Sequence, residues 1–239
     1  NLSALLGAMG QRVLMIDLDP QGNTTSGLGM EVDDKSIYEV IMGRMKLTDV
    51  MEETEFKNLS IAGSDVRLAN AELELVEVEK REYRLKTAVQ SVQQDFDFIF
   101  IDCPPSLGLL TINALGAADS VLIPIQCEYY ALEGVASLMN TISRVKKTIN
   151  PHLEIEGVLL TMLDGRTNLG LQVVDEVKKH FKKQVYATVI PRSVRLGEAP
   201  SHGAPIHVYD KRSAGCVAYV NLAKEILKRN NIKVKEFKL

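Results

Sequence analysis

The sequence is poor in aromatic residues, cysteine and long apolar runs. It has no tryptophan, and aromatic residues make up 5% of its 239 positions, which disfavours a surface that stacks unpaired nucleic-acid bases. The 3 cysteines lie far apart, which argues against a disulfide framework and for a reducing compartment. No apolar run is long enough to span a bilayer, and the first residues are not those of a signal peptide. These absences favour a cytoplasmic globular protein.

The charge composition excludes a strongly basic protein. Lys and Arg number 28 against 31 Asp and Glu, giving a net charge of −3, whereas a dedicated nucleic-acid-binding domain is usually basic. Any contact with DNA must therefore come from a local group of cations. With 46% hydrophobic residues and neither a repeat nor a linker, residues 1–239 are expected to form a single domain.

Apolar runs alternate with helical patterns along most of the chain. The runs typical of buried strands are Arg12–Asp19, Phe98–Asp102, Ser120–Ile125, Ile155–Thr161 and Val185–Ile190. The segments with helical spacing are Asn1–Met9, Ser36–Arg44, Ala71–Lys80, Arg84–Gln94, Leu132–Lys147, Leu169–Phe181 and Gly215–Arg229. This alternation predicts an α/β fold with a doubly wound, mostly parallel sheet flanked by helices. Such sheets bind ligands at the carboxyl ends of their strands.

Two of the predicted strands end in aspartate. In DLDPQG (17–22), the two carboxylates are expected on one face of the strand, where a cation, a donor or water must separate them. Phe98–Asp102 is a bulky apolar run followed by one carboxylate, the form of a Walker B strand that holds a Mg²⁺-bound water. From the pattern alone, these carboxylates could also be solvated groups at strand ends.

Longer motifs surround both strand ends and continue towards the C-terminus. In order, they are DLDPQGNTTSGLG (17–29), DCPPSLGLLTINAL (102–115), CEYYALEGVASL (127–138), TMLDGRTNL (161–169) and VIPRSVRLGEAPSHGAPI (189–206). Together they resemble the ParA/Soj family of partition ATPases, which has the P-loop NTPase fold and a deviant Walker A loop. The resemblance extends from Asn1 to about Arg229.

The resemblance implies a phosphate-binding loop of the form KGGVGKTT immediately before the first helix. Asn1 and Leu2 match the positions just past that loop, so the loop and the strand leading into it are expected upstream of residue 1. We therefore expect ATPase activity from the intact protein and not from these 239 residues alone, because the main phosphate donors precede them.

The resemblance also implies ATP and Mg²⁺ as cofactors and gives roles to matching residues. Asp19 is expected to orient or activate the attacking water, Asp17 to set the loop and metal geometry, and Asp102 to hold Mg²⁺ through water. The residues expected near the nucleotide base are Pro191, Arg192, Met162 and Asp164.

The same resemblance implies a homodimer that forms with ATP, binds double-stranded DNA without sequence preference and is stimulated by a ParB/Spo0J-type partner. The protein is then expected in the cytoplasm, on the nucleoid. Expected at the switch and the dimer face are Pro104, Pro105, Ser106, Glu128 and Tyr129. Expected on the DNA are Arg192, Arg195, Lys211 and Arg212.

Two other functions are weighed against this one. A MinD-like membrane-positioning ATPase needs a C-terminal amphipathic membrane helix, whereas Gly215–Arg229 has the apolar stripe of an ordinary core-facing helix. A non-hydrolysing DNA-binding regulatory module is the other alternative, and it would follow if no phosphate-binding loop precedes Asn1.

Overall fold

The computed structural model describes residues 1–128, 133–234 and 237. The strands in these ranges are β1 (Val13–Asp17), β2 (Met51–Glu53), β3 (Leu59–Ala62), β4 (Phe98–Asp102), β5 (Ser120–Gln126), β6 (Glu154–Leu163) and β7 (Val185–Pro191). The helices from α1 to α6 are Leu2–Ala8, Asn23–Gly27, Ile37–Ile41, Leu47–Val50, Leu68–Glu74 and Arg84–Gln90. Those from α7 to α12 are Leu109–Ala117, Glu133–Thr148, Asn168–Phe181, Val194–Glu198, Ile206–Tyr209 and Ala214–Arg229.

The strands form two sheets, in the orders β2-β3-β1-β4 and β5-β6-β7. All pairs are parallel except β2 with β3. The predicted α/β class and mostly parallel pairing are therefore confirmed. Within the described ranges, β4 pairs only with β1 and β5 only with β6, so the two sheets are not hydrogen-bonded to each other.

Helices cover both sheets and give them separate cores. One core packs Leu14 and Ile16 of β1 against α3 and α6, and another packs Val13 of β1 against α1 and α12. The second sheet packs Val158 and Leu160 of β6 against α8 and α9. These clusters explain why the strand sequences are almost continuously apolar.

The predicted helix Ala71–Lys80 differs from the observed α5. The helix begins earlier and ends at Glu74, and the residues after it form turns up to Lys80, whose φ is 54°. Val76 and Val78 lie in these turns, and β-branched residues have low helix propensity. The spacing therefore predicted the helix but not its end.

A β-bulge interrupts the pairing of β7 with β6. The register passes from Val158↔Val185 to Leu160↔Val189, so β7 has extra residues at this point. The backbone N–H groups of Ala187 and Thr188 in the bulge donate to the carboxylate of Glu225 on α12, at 2.9 and 3.0 Å. This contact attaches the last helix to the bulged strand.

No helix in the described part of the chain is long and apolar enough to cross a bilayer.

Candidate functional site

The predicted acidic strand ends lie side by side. β1 and β4 are parallel neighbours, and their last residues, Asp17 and Asp102, are in register. The N–H of Leu18 donates to the carbonyl of Asp102 at 2.8 Å, which continues the ladder past the end of β1. The sequence placed both aspartates at the carboxyl edge of the sheet, and the structure brings them together there.

Asp17 is fully buried and its carboxylate is held by donors on all sides. Oδ2 accepts bonds from the N–H and the hydroxyl of Thr25, at 2.8 and 2.7 Å, and Oδ1 accepts one from the N–H of Asp19 at 3.2 Å. Burial raises the pKa of Asp17, while the bonds from Thr25 and Asp19 oppose that rise. Asp17 thus fixes the turn that follows β1.

Asp19 lies in that turn and is only half-buried. Its Oδ1 accepts a bond from the N–H of Gln21 at 3.0 Å, and the turn closes where Gly22 adopts a φ of 63°. The backbone of Gly22 also approaches Ser64, whose carbonyl oxygen would lie 3.3 Å from an added Cβ. The two carboxylates of DLDPQG therefore have different environments, contrary to the expectation of a shared face, because the strand ends at Asp17.

Asp102 is half-buried and accepts a bond from the hydroxyl of Thr24 at 2.6 Å. Thr24 and Thr25 are adjacent on α2, so this short helix carries one hydroxyl to each of the two strand-end carboxylates. This role was not predicted from the sequence. The pair of threonines that follows DPQGN is the pattern that points to it.

The carboxylates suit Mg²⁺ held with a nucleotide better than a protein-only metal site. Among the described residues, no three His, Cys, Asp or Glu side chains converge as metal ligands. Mg²⁺ in phosphate-transfer sites usually keeps several waters and takes only one or two carboxylates. Asp102 offers such a hard oxygen at the mouth of the sheet, whereas the oxygens of Asp17 are taken by Thr25 and Asp19.

The residues expected near the nucleotide base meet at the ends of β6 and β7. Leu163 is in register with Pro191, and the N–H of Arg192 donates to the carbonyl of Leu163 at 3.0 Å. Met162 has a φ of 54°, a left-handed conformation that is uncommon for a residue with a side chain. Asp164 directly follows Leu163, the last residue of β6. All four residues predicted near the nucleotide base therefore lie at this end of the sheet.

Ion pairs hold the polar members of this group. The side chain of Asp164 pairs with Arg166 at 2.7 Å, and the hydrogen bonds from Arg166 hold the pKa of Asp164 well below its usual range. Arg192 pairs with Glu128, which follows β5. Glu128, predicted near a dimer face, thus bridges the ends of β5 and β7 within one chain, and Tyr129 lies outside the described residues.

The predicted switch residues form a loop between β4 and α7. Pro104 is half-buried, while Pro105 and Ser106 are exposed. The carbonyl of Ser106 accepts a bond from the hydroxyl of Thr111 at 2.6 Å. The loop is therefore anchored at its helical end and exposed at its centre.

The basic residues predicted to contact DNA do not form one free patch. Arg195 pairs with Glu198 at 2.9 Å and approaches Asp210 at 3.5 Å, and Arg192 is paired with Glu128. Lys211 and Arg212 are exposed in the turn before α12, and neither has an ion pair within the described ranges.

Comparison with known proteins defines the class. The family described as an AAA domain matches residues 1–155. The structure of cobyrinic acid a,c-diamide synthase from Mycobacterium smegmatis with bound ADP and magnesium is similar, with a TM-score of 0.83, 36% identity, and coverage of 96% of this chain and 89% of that one. Both findings agree with a P-loop ATPase fold.

Two curated relatives are more specific. Sporulation initiation inhibitor protein Soj of Bacillus subtilis is 57% identical over 95% of this chain and 90% of its own length. Chromosome partitioning protein ParA of Myxococcus xanthus is 49% identical over 98% of this chain and 83% of its own. The chain belongs to the ParA/Soj family of chromosome-partitioning ATPases, as the motifs predicted.

Proposed function

We propose that the intact protein is an ATP-hydrolysing partition switch. It dimerises with ATP, binds DNA without sequence preference and hydrolyses ATP when a ParB/Spo0J-type partner stimulates it. The observation that carries this proposal is the pair of in-register strand ends at Asp17 and Asp102, each bonded to a threonine of α2. The similarity to Soj and ParA supports the partition role.

Each carboxylate has a separate part in the proposed reaction. Asp19 is half-buried and its carboxylate accepts, among the described residues, only the N–H of Gln21, and it orients the attacking water. Asp102 would hold Mg²⁺ through water, and the bound ion would supply charge neutralisation on the phosphate oxygens. Asp17 does not touch the reactants, because its bonds to Thr25 and Asp19 commit it to shaping the turn.

The nucleotide base is proposed to lie against the ends of β6 and β7. Pro191 and Arg192 are the principal contacts, and Met162 and Asp164 border them. The ion pair of Arg192 with Glu128 would order this surface before the nucleotide arrives. The switch residues Pro104, Pro105 and Ser106, with Glu128 and Tyr129, are proposed to lie towards the partner subunit.

DNA binding is proposed to begin at Lys211 and Arg212, the two predicted cations that have no ion pair among the described residues. Arg192 and Arg195 can add to this contact only by exchanging their present carboxylates for phosphates. A cytoplasmic location on the nucleoid follows from this function.

The structure of α12 disfavours this helix as a membrane anchor. Its apolar side chains Val220, Leu222, Ala223, Ile226 and Leu227 are buried against the rest of the protein, while Val217 is exposed. A membrane-binding amphipathic helix needs an apolar face that is free to enter the lipid.

ATP turnover of the full-length gene product, including any residues before Asn1, tests the proposal. We expect slow hydrolysis that rises when DNA and a ParB-type partner are added together. The proposal would be contradicted if the hydrolysis rate did not change when DNA and the partner were added. It would also be contradicted if the full-length product did not bind ATP. Binding to anionic vesicles in place of DNA would support a membrane-positioning function instead.

A further inference from the structure

The C-terminal ends of α8 and α9 lie at the edge of the second sheet opposite to the candidate site. α8 ends at Thr148 shortly before β6 begins, and α9 ends at Phe181 shortly before β7 begins. Since β5, β6 and β7 are parallel, both helices end where these strands start. We call this side of the sheet the amino edge. Strand β6 is ten residues long and separates it from the candidate base site by about 30 Å.

The two helix ends lie on one face of the second sheet. Ile142 and Val145 of α8 and Val174 and Val177 of α9 belong to one core cluster with residues of β5 and β6, so both helices cover the same face. Each ends in exposed lysines. The lysine surface, as we name it, consists of Lys146, Lys147, Lys178, Lys179, Lys182 and Lys183.

These lysines are largely without acidic partners. Within the described ranges only Lys179 has an ion pair, a 3.5 Å contact with the exposed Glu176. Exposed acids near these lysines are Asp119 and Glu154, just before and at the start of neighbouring strands, and Asp175 and Glu176, one turn earlier on α9. In a protein with a net charge of −3, this is a local excess of positive charge.

Helix stability explains only part of this arrangement. Lysines in the last turn of a helix interact favourably with its dipole, which accounts for Lys146 and Lys147 of α8 and for Lys178 and Lys179 of α9. Lys182 and Lys183 lie beyond the helix. Lys182 has φ 49° and ψ −117°, a conformation that favours glycine, so a lysine at this position is not the residue that backbone stability selects.

We propose that the lysine surface binds the phosphate backbone of double-stranded DNA. Lysines are point charges that bind phosphate without reading bases, which fits non-specific binding. A membrane surface would also attract lysines, but stable insertion needs apolar side chains among them, and the neighbouring exposed residues Thr148, His180 and Gln184 are polar. The proposal rests on the DNA-binding function proposed above and places a second contact far from Lys211 and Arg212.

The test is the salt dependence of binding to a short DNA duplex of mixed sequence, measured by fluorescence anisotropy on the full-length gene product with ATP. The variant Lys178→Gln, Lys182→Gln, Lys183→Gln is compared with Lys35→Gln, Lys57→Gln, Lys80→Gln, which removes the same charge from other exposed sites. We expect the first variant to lower the slope of log K against log salt by up to about 2.7 per chain, at 0.9 per phosphate. The control should leave the slope unchanged.

A single substitution separates charge from fold. Lys182→Gly removes one cation and relieves the backbone, so it should raise the melting temperature while lowering the slope by about 0.9. A destabilised but DNA-competent Lys182→Gly protein would contradict the inference.

The outcomes also separate this inference from the proposed function. If the wild-type protein does not bind the duplex even at low salt, the proposed function fails with it. If the wild type binds and both triple variants match it, only the lysine surface is refuted. Loss of binding to anionic vesicles with unchanged DNA binding would assign the surface to lipid and refute the inference as well.

Discussion

Charged side chains have opposite environments at the two edges of the sheets. At the carboxyl ends of β1 and β4, the carboxylates are buried or half-buried, and each accepts hydrogen bonds from α2 or from the turn before it. At the amino edge, the lysines that end α8 and α9 are exposed and mostly unpaired. Charges of the first kind are part of the local fold, whereas we expect the removal of charges of the second kind to leave the fold unchanged.

The difference follows from the cost of desolvation. A buried carboxylate requires donors, and removing it leaves those donors without partners. An exposed lysine stays hydrated and contributes little to stability. A reaction that needs reactants in fixed positions can use buried, hydrogen-bonded carboxylates. A contact with the regular phosphate backbone of DNA can use exposed lysines.

Asp19→Ala should have the largest effect and would sharpen the contrast. Loss of the group that orients water should lower ATP turnover of the full-length gene product about 10²-fold or more. Nucleotide binding should remain, because Asp19 supports only the adjoining turn. Turnover and ATP affinity are measured together, with Asp33→Ala as the exposed control. Normal turnover in the Asp19 variant would remove the role assigned to it.

Asp17→Ala should mainly lower the free energy of unfolding, and any effect on activity should be secondary. It would leave the N–H groups of Thr25 and Asp19 without acceptors in a buried site, at a cost of about 1–3 kcal/mol. Urea unfolding measures this loss. Thr25→Ser keeps the hydroxyl that bonds Asp17 and should retain most of the stability, so it serves as the matched control. If the urea midpoint of Asp17→Ala equals that of the wild type, the Asp17 carboxylate contributes no more to stability than an exposed charge.

Glu225→Ala should have a smaller effect that depends on pH. Burial opposes ionisation of Glu225, but the N–H groups of Ala187 and Thr188 and the charge of Arg229 hold its pKa below the usual value of 4.5. Because the folded pKa lies below the unfolded one, its stabilisation is present above 4.5 and is lost as pH falls through the folded value.

The substitution should therefore cost about 1 kcal/mol at neutral pH and progressively less in acid. Unfolding free energies of the wild type and the variant across this range measure the difference, with the exposed Glu176→Ala as control. A pH-independent gap between the wild type and Glu225→Ala would show that lost packing, and not the charge, is responsible.

The sequence predicted the end of β4 at Asp102 but placed the end of β1 at Asp19, two residues beyond its observed end, because apolar strands and their terminal acids are local patterns. It did not predict β2 or β3, which are short and become strands through pairing with each other and with β1. It also missed the hydroxyls of Thr24 and Thr25, since their partners are set by how α2 folds back over the strand ends. Long-range contacts of this kind have no periodic signature.

The environments of the basic residues also depend on contacts that the sequence does not predict. The family resemblance placed Arg195 among the DNA contacts, but Glu198 lies one helical turn away and pairs with it. The lysines of α8 and α9 are ordinary in the sequence, because only the parallel order of β5, β6 and β7 brings them to one edge. The sheet topology, and not any local sequence pattern, brings these lysines close together.

The bulge in β7 has a consequence for the behaviour of the protein at high concentration. Within the described ranges β7 pairs only with β6, and a strand with a regular row of free N–H groups on its outer side invites a strand from another molecule. The bulge breaks that row, and Glu225 of α12 covers the N–H groups of Ala187 and Thr188. Loosening of the last helix would free these N–H groups to pair with a strand of another molecule, so we expect it to favour intermolecular β-aggregation.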